Sequence, residues 1–441
     1  MAGHSSSMPT RIPFRTLPKA SGALLGLIAV ALLLGVAAAA MTLTGGHEGA
    51  ERFAQAFHFN WIFWSGTSMG MVMLTVALHL TNARWSWSLR RFALAGVAFL
   101  PVSFVLFAVD WLGAGHLFHH WVHAAPGDHV LEAKSGYLNL PFMIIRDYVG
   151  IAILYGLAIR FAMLALRPDV YGAAQTDGQR RWYDRITRNF RGVNEEAVRS
   201  RETMTKVAVF LAFGYAIIWG MLGIDLGMSM LPHWFSTMFP VIFFIDGFHA
   251  GMAMTALMVV VFRKRAGVDE FITKNQFHDL GKLIFAFAVF WMYINWSQYV
   301  VIWYGGLPHE QEWFVQRFHA PFATMVRIAV GCIFVAPFLG LLTRPPKKTP
   351  AVLGTFAVVI LVGHWLERFL LTVPSLYESG HVEHLPFGLP EIGIALGFGA
   401  LWLFCYTWFL RTFPILPSPA TLAAVDTGFM EIPGEGHAAH A

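Results

Sequence analysis

Apolar residues run along this chain in long blocks, not in the one-sided or alternating patterns of a water-soluble fold. Ten blocks stand out, at about 20–44, 57–81, 92–112, 141–166, 205–228, 238–262, 280–303, 320–342, 350–373 and 388–411. Each reaches the roughly 20 residues that carry a helix across about 30 Å of hydrocarbon. The pattern predicts an all-α integral membrane protein with ten transmembrane helices. The first block is long enough to span and reads as a retained helix, not a cleaved signal. A composition of 56% hydrophobic and 13% charged residues agrees with a lipid-embedded chain.

Charge sorts the gaps between blocks. Arg11, Arg15 and Lys19 precede the first block, and the second gap holds Arg84, Arg90 and Arg91. The fourth gap, about 167–204, carries Arg167, Arg180, Arg181, Arg185, Arg188, Arg191, Arg199 and Arg201. The sixth has Arg263, Lys264, Arg265 and Lys274, and the eighth Arg344, Lys347 and Lys348. The odd gaps hold only Arg52, Lys134 and Arg317. The positive-inside rule then predicts a multi-pass protein with both termini cytoplasmic. The net charge of +5 follows from these loops and does not point to nucleic acid.

The odd gaps have a different chemistry. His116, His119, His120, His123 and His129 fall in the third, and Tyr377, Glu378, His381, Glu383 and His384 in the ninth. HLFHHWVH lacks metal-ligand spacing, so both gaps read as interfacial loops facing partners, and no metal site is expected. The tail after Pro414 reads as a docking strap or as disorder.

Two short matches recur at an offset of 181 positions. GxxxGM occupies 66–71 and 247–252, and RxxVG occupies 146–150 and 327–331. They suggest a tandem, parallel duplication. The expected organisation is an N-tail and peripheral first helix (1–56), a four-helix bundle (57–228), a second four-helix bundle (229–373), and a peripheral last helix with the C-tail (374–441). Small residues four apart let helix backbones approach closely, which is the packing role expected for Gly66, Gly70, Gly247 and Gly251.

Ionisable residues at depth are the functional suspects. His58, Asp110, Arg146, Asp147 and Asp225 fall in the outward half of the first bundle, with Asn60 beside them. Arg146 could pair with Asp110 or with Asp225, as a structural bridge or as the polar end of a ligand slot. Asp246 and His249, spaced i,i+3, share a face of the sixth helix; His364 and Glu367 repeat the spacing on the ninth, followed by Arg368. Histidines beside carboxylates suit a proton path. His278, Asp279 and Lys282 could form its inner mouth. Asn295, Ser297 and Gln298 are expected to bridge helices.

Redox wiring is missing from the chain. Cys332 and Cys405 lie within apolar blocks, and there is no CxxCH or cysteine cluster. His249 with His364 is the one candidate pair for a bis-His haem.

Three runs carry a family resemblance. KSGYLNLPF at 134–142, PHWFSTMF at 232–239, and FHDLGKLIFAF at 277–287 followed by SQY at 297–299 resemble the membrane subunits of bacterial alternative complex III. The closest likeness is to the smaller of its two quinone-type subunits, within the NrfD/polysulfide-reductase membrane family. The resemblance implies two four-helix bundles in a quinol:cytochrome c or terminal-oxidase electron-transfer complex. It implies as partners a sister NrfD-like membrane subunit, an iron–sulfur subunit, c-type cytochrome subunits and a terminal oxidase. Iron–sulfur centres and haem c would then reside in those partners. The expectation is a scaffold and proton-path subunit in contact with lipid, without a covalently bound cofactor. Asp246, His249, His364, Glu367, Arg368, His278, Asp279 and Lys282 would carry protons. His58, Asp110, Arg146, Asp147 and Asp225 would be a candidate pocket for menaquinone or ubiquinone. The rivals are a secondary transporter, a haem b-carrying anchor and a purely structural anchor.

Overall fold

The computed structural model describes residues 12–123, 127–377 and 384–427. Arg11, Glu378, His381, Glu383 and the tail beyond residue 427 therefore lie outside the described residues. Ten helices are long and apolar enough to cross a membrane: α1 Gly22–Leu43, α2 Gly46–Leu80, α3 Arg90–Leu112, α4 Leu140–Val170, α5 Val193–Met230, α6 Phe239–Phe262, α7 Lys274–Gly305, α8 Ala323–Gly340, α9 Pro350–Leu376 and α10 Leu389–Thr412. No strand occurs among the described residues.

Local chemistry explains the boundaries. Asn139 caps α4 by accepting from the Phe142 N–H at 3.2 Å, and Pro141 sits in the first turn, where its missing N–H costs nothing. Thr273 and Gln276 form a capping box on α7, which ends at Gly306 in the left-handed region with φ 68°. The second and fifth helices begin about eleven and twelve residues before their apolar blocks. The added turns, GHEGAERFAQA and VNEEAVRSRETM, are polar and so escape a hydropathy reading, yet contain mostly good helix formers. Arg52 thereby lies inside α2, and bonds Glu391 on α10 at 2.8 and 3.0 Å.

The two GxxxG segments meet each other. α2 and α6 are among the most closely packed pairs in the molecule. A side chain added at Gly70 would strike the Gly247 carbonyl, and one at Gly251 would strike the Gly70 backbone. Each half repeats one set of contacts around this axis. α2 packs on α3 and α5, as α6 packs on α7 and α9; α4 packs on α5, as α8 packs on α9. α2 also reaches α9, and α6 also reaches α5, which ties the halves together. α1 and α10 pair at the edge through Gly35, Gly393 and Gly397. α2 is almost wholly buried, whereas α1 is mostly exposed and shows Leu27, Leu33 and Val36 outward, as a lipid-facing helix does.

The tail up to Thr427 is docked. Asp169 accepts from the Ser418 N–H at 2.9 Å and from Thr421 Oγ1 at 2.5 Å, and buried Leu422 seats the Pro419–Thr427 helix against α5.

Candidate functional site

The i,i+3 pairs on α6 and α9 meet in the middle of the second half. His364 Nδ1 lies 2.7 Å from Glu367 Oε2, and His364 Nε2 lies 3.0 Å from His249 Nδ1. Glu367 Oε1 accepts from Trp291 Nε1 of α7 at 2.9 Å. Arg368 Nη2 reaches Asp246 Oδ2 at 3.0 Å, and its guanidinium lies over the Phe243 ring at 4.8 Å. Asp246, His249, His364 and Arg368 are buried and Glu367 is partly so. One helical face on each of two helices thus supplies a chain of carboxylate, imidazole and imidazole. Its far end, His249 Nε2, has no hydrogen-bond partner among the described residues, and neither has Asp246 Oδ1.

A cavity of about 380 Å³ ends on this chain. Asp246, Glu367 and Trp291 form its floor; Trp296, Tyr299, Trp313, Phe314 and Phe318 are among its walls. It exists because α7 packs on α8 mainly through residues 331–340, and the two helices part toward the other end, where the Pro308–Phe318 helix lies. Exposed Trp296 and Phe318 stand at its rim, so it opens sideways from the bundle. Gln298 also lines it, with neither amide atom bonded. Asn295 and Ser297 do not bridge helices as expected. They bond back to Trp291 O at 3.0 Å and Tyr293 O at 2.7 Å on their own helix. Such local bonds are open to polar residues one turn along any helix.

Two other chemistries can be weighed on these donors. Asp246, His364 and Glu367 offer three ligand atoms within 4.8 Å of one another. Arg368 bonds Asp246, however, and places a guanidinium where a metal ion would need negative charge. The facing rings of His249 and His364 bond each other directly, nitrogen to nitrogen, rather than bracketing the iron of a bis-His haem.

The first-half residues form a separate network, and none of them lines this cavity. Arg146 takes Asp225 in a bidentate pair at 2.8 and 2.6 Å, and donates to Tyr137 O at 2.8 Å while stacking on the Tyr137 ring at 3.7 Å. His58 Nδ1 lies 2.8 Å from Asp110 Oδ2, and His58 Nε2 lies 2.8 Å from Leu226 O. Asp147 is buried, and neither of its oxygens has a hydrogen-bond donor among the described residues.

His278, Asp279 and Lys282 sit together at the start of α7. Asp279 bonds Lys282 at 2.6 Å, and His278 approaches Asp279 at 3.9 Å. Eight apolar residues, Leu283 to Phe290, separate them from Trp291, about 13 Å of helix. The structure does not join this trio to the buried chain.

The histidines of the third gap form no ligand set among the described residues. His119 bonds His116 O at 3.0 Å, and His120 bonds Ser375 O at 3.2 Å.

Sequence reasoning passed over Trp291 and Arg317. Tryptophan is common in apolar helices, so Trp291 carried no signal. Arg317 counted only as a loop charge, yet it is buried, donating to Leu370 O, Leu371 O and Ser375 Oγ beside the cavity. Its isolation in an arginine-poor gap was the available clue. No protein-family model matches the chain, and no characterised protein matches it either.

Proposed function

We propose that the chain is the integral membrane subunit of an alternative-complex-III-like quinol oxidoreductase. It binds a quinone-class ligand in the cavity between α7, α8 and α9, and passes protons along Glu367, His364 and His249. The observation that supports this most is the meeting of an aromatic, sideways-opening cavity with a titratable chain at its floor. About 300–1,000 Å³ is the usual size for a small-molecule pocket, and few polar groups on apolar walls is the usual lining. A ring with oxygen at both ends would stack on the aromatic walls and present one oxygen to Glu367 and Asp246.

The chemistry divides between this chain and its neighbours. Quinol loses two protons and two electrons. Glu367 and Asp246 accept protons; the electrons leave through iron–sulfur and haem centres of partner subunits, because this chain contributes no cysteine ligand cluster. Under this proposal the basic face is cytoplasmic, as are both termini, and the cavity lies in the outward half. The proposed quinone site thus moves from the first half, where His58 pairs with Asp110 and Arg146 with Asp225 beside buried Asp147, to the second.

Tryptophan fluorescence tests binding in the purified chain, since Trp291, Trp296 and Trp313 line the cavity. A short-chain ubiquinone or menaquinone should quench it saturably. In the assembled complex, Glu367→Gln should lower quinol oxidation by about 10²–10⁴, the range for loss of a general base. Absence of saturable quenching together with unchanged turnover in Glu367→Gln would overturn the proposal.

A further inference from the structure

The basic face carries a second cavity, of about 420 Å³, between α4, α5 and the loop that joins them. Arg160, Arg167, Arg188, Arg191 and Arg199 all line it, with Glu196, Asn189, Ser200 and Thr203. Arg167 and Glu196 bond each other and cancel. Arg191 faces exposed Glu195 only loosely, at 3.7 Å. The guanidinium groups of Arg160, Arg188 and Arg199 make no hydrogen bond or ion pair with the described residues; only the Arg188 and Arg199 carbonyls are engaged by side chains, those of Arg167 and Thr203. Ser200 is buried, and its hydroxyl is unpartnered on the cavity wall. Orientation of the chain needs basic residues in this gap, but it does not need three unpaired guanidiniums aimed into one hollow.

The surface beside the cavity is apolar and continuous with it. On α4, Val149, Ile153, Gly156 and Arg160 follow one another at spacings of four, three and four, all exposed. On α5, Arg199, Thr203, Lys206, Phe210, Phe213 and Ile217 follow at the same alternating spacings, all exposed but half-buried Thr203, with Phe210, Phe213 and Ile217 each about two-thirds exposed. A side chain at Gly156 would meet nothing within 4 Å, so the furrow between the stripes is open there. Because Arg160 and Arg199 line one cavity, the two stripes flank one side of the α4–α5 pair.

We propose that this is a binding site for an anionic phospholipid. Its phosphate sits among Arg160, Arg188 and Arg199, with the Ser200 hydroxyl as a further donor, and its acyl chains lie along the furrow over Ile153, Phe210, Phe213 and Ile217. Guanidinium groups suit phosphate oxygens because their fork donates two hydrogen bonds at once. Basic pockets between transmembrane helices recognise anionic headgroups in the same way. The site shares no residue with the quinone-class cavity and stands whether or not that reading holds.

The experiment uses the full chain in nanodiscs of phosphatidylcholine doped with phosphatidylglycerol or cardiolipin, with retained lipid read by native mass spectrometry. The triple variant R160Q/R188Q/R199Q is compared with K264Q/K274Q/R344Q, which removes the same charge elsewhere on the basic face. The first should lose the anionic lipid by about a hundredfold, at about fivefold for each guanidinium, and the second should keep it. R160K/R188K/R199K, which keeps the charge and loses the fork, should retain the lipid better than the glutamine triple and less well than the parent, which separates lost charge from lost fold. Equal retention by the two glutamine triples overturns the proposal. So does equal retention of phosphatidylcholine, or displacement of the lipid by inorganic phosphate at the same concentration.

Discussion

His364 Nε2 and His249 Nδ1 face each other at 3.0 Å, so one proton lies between the rings and not two. That proton decides the rest of the chain. If His249 Nδ1 donates, His364 Nε2 accepts, and His364 Nδ1–H points at a Glu367 carboxylate. If His364 Nε2 donates, Glu367 must be protonated and donate to His364 Nδ1. Passing from the second arrangement to the first takes one proton in from Glu367 and delivers one at His249 Nε2. The three side chains therefore form one continuous hydrogen-bonded chain whose geometry would allow the proposed relay, with one end on the cavity and the other inside the bundle.

Interrupting the far end should separate conduction from binding. His249→Gln can still bond His364 but cannot receive a proton at one atom and release it from another. Under the proposed function, proton release linked to quinol oxidation in the assembled complex should fall at least about a hundredfold, the low end of what a positioned proton carrier contributes. Quenching of cavity tryptophan fluorescence by a short-chain quinone should be unchanged. Stopped-flow with a pH dye reads the first, and titration reads the second. Proton release at the normal rate would remove His249 from the path.

The Arg146–Asp225 pair makes a contrasting prediction. Asp225 is fully buried, and so is Asp147 beside it. Arg146→Met would leave both carboxyls without the guanidinium. Breaking a buried pair from one side costs about 3–5 kcal/mol. Thermal unfolding in detergent should show this loss in Arg146→Met, and most of it should return in the double variant R146M/D225N. Quinone quenching in the folded protein should not change, since neither residue lines the cavity.

Gly251 offers a steric test of the interface between halves. Its hydrogen faces the Gly70 backbone, where no side chain fits. Gly251→Val should separate α2 from α6 and cost at least about 1–3 kcal/mol, the range for overpacking a tight core. Gel filtration of a fluorescent fusion should show a collapse in monodisperse yield. Gly156→Val, on the open furrow, should leave the yield unaltered.

Outside the membrane helices, Asp128 predicts a pH response. Its Oδ1 accepts from the Leu131 and Val130 N–H groups, and its Oδ2 lies 2.8 Å from His233. The Leu131 N–H above all, with His233, holds this carboxyl below its ordinary 3.8. The folded pKa is depressed, so the stabilisation is complete above the ordinary value and lost as pH falls through the folded one. Amide exchange across His129–Lys134, corrected for intrinsic rates, should show protection at pH 6 that fades below about pH 4. Asp128→Asn should remove that pH dependence.

Much of this was legible because lipid imposes a coarse rule. Every span must be long and apolar, so hydropathy located all ten helices, and GxxxG located one of the tightest crossings. The pairs Asp246/His249 and His364/Glu367 were legible as faces because i and i+3 share a side of any helix. That His364 bonds His249 was not, because it depends on the rotation of α9 against α6. The cavity was invisible for a related reason: it comes from the parting of α7 and α8, and no residue encodes that splay on its own. Trp291 and Arg317 acquire meaning only once the cavity exists. The polar turns that open α2 and α5 were lost because a hydropathy window sees lipid contact, not helix.

His58 and Asp110 share a proton in a way that fixes which substitutions survive. His58 Nε2 faces the Leu226 carbonyl, which can only accept, so Nε2 carries a hydrogen. The remaining proton lies between His58 Nδ1 and Asp110 Oδ2, on one or the other. Asp110→Asn keeps the geometry, because an amide N–H can donate to a bare Nδ1 while Nε2–H still serves Leu226. Asp110→Leu strands Nδ1 in a fully buried site, and an unsatisfied buried group costs about 1–3 kcal/mol. Thermal unfolding should therefore rank Asp110→Asn close to the parent and Asp110→Leu well below it. In the assembled complex Asp110→Asn should leave quinol oxidation intact, as a structural bond allows. A Asp110→Asn variant that folds normally yet loses turnover would return the headgroup site to the first half and displace Glu367 from the role argued above.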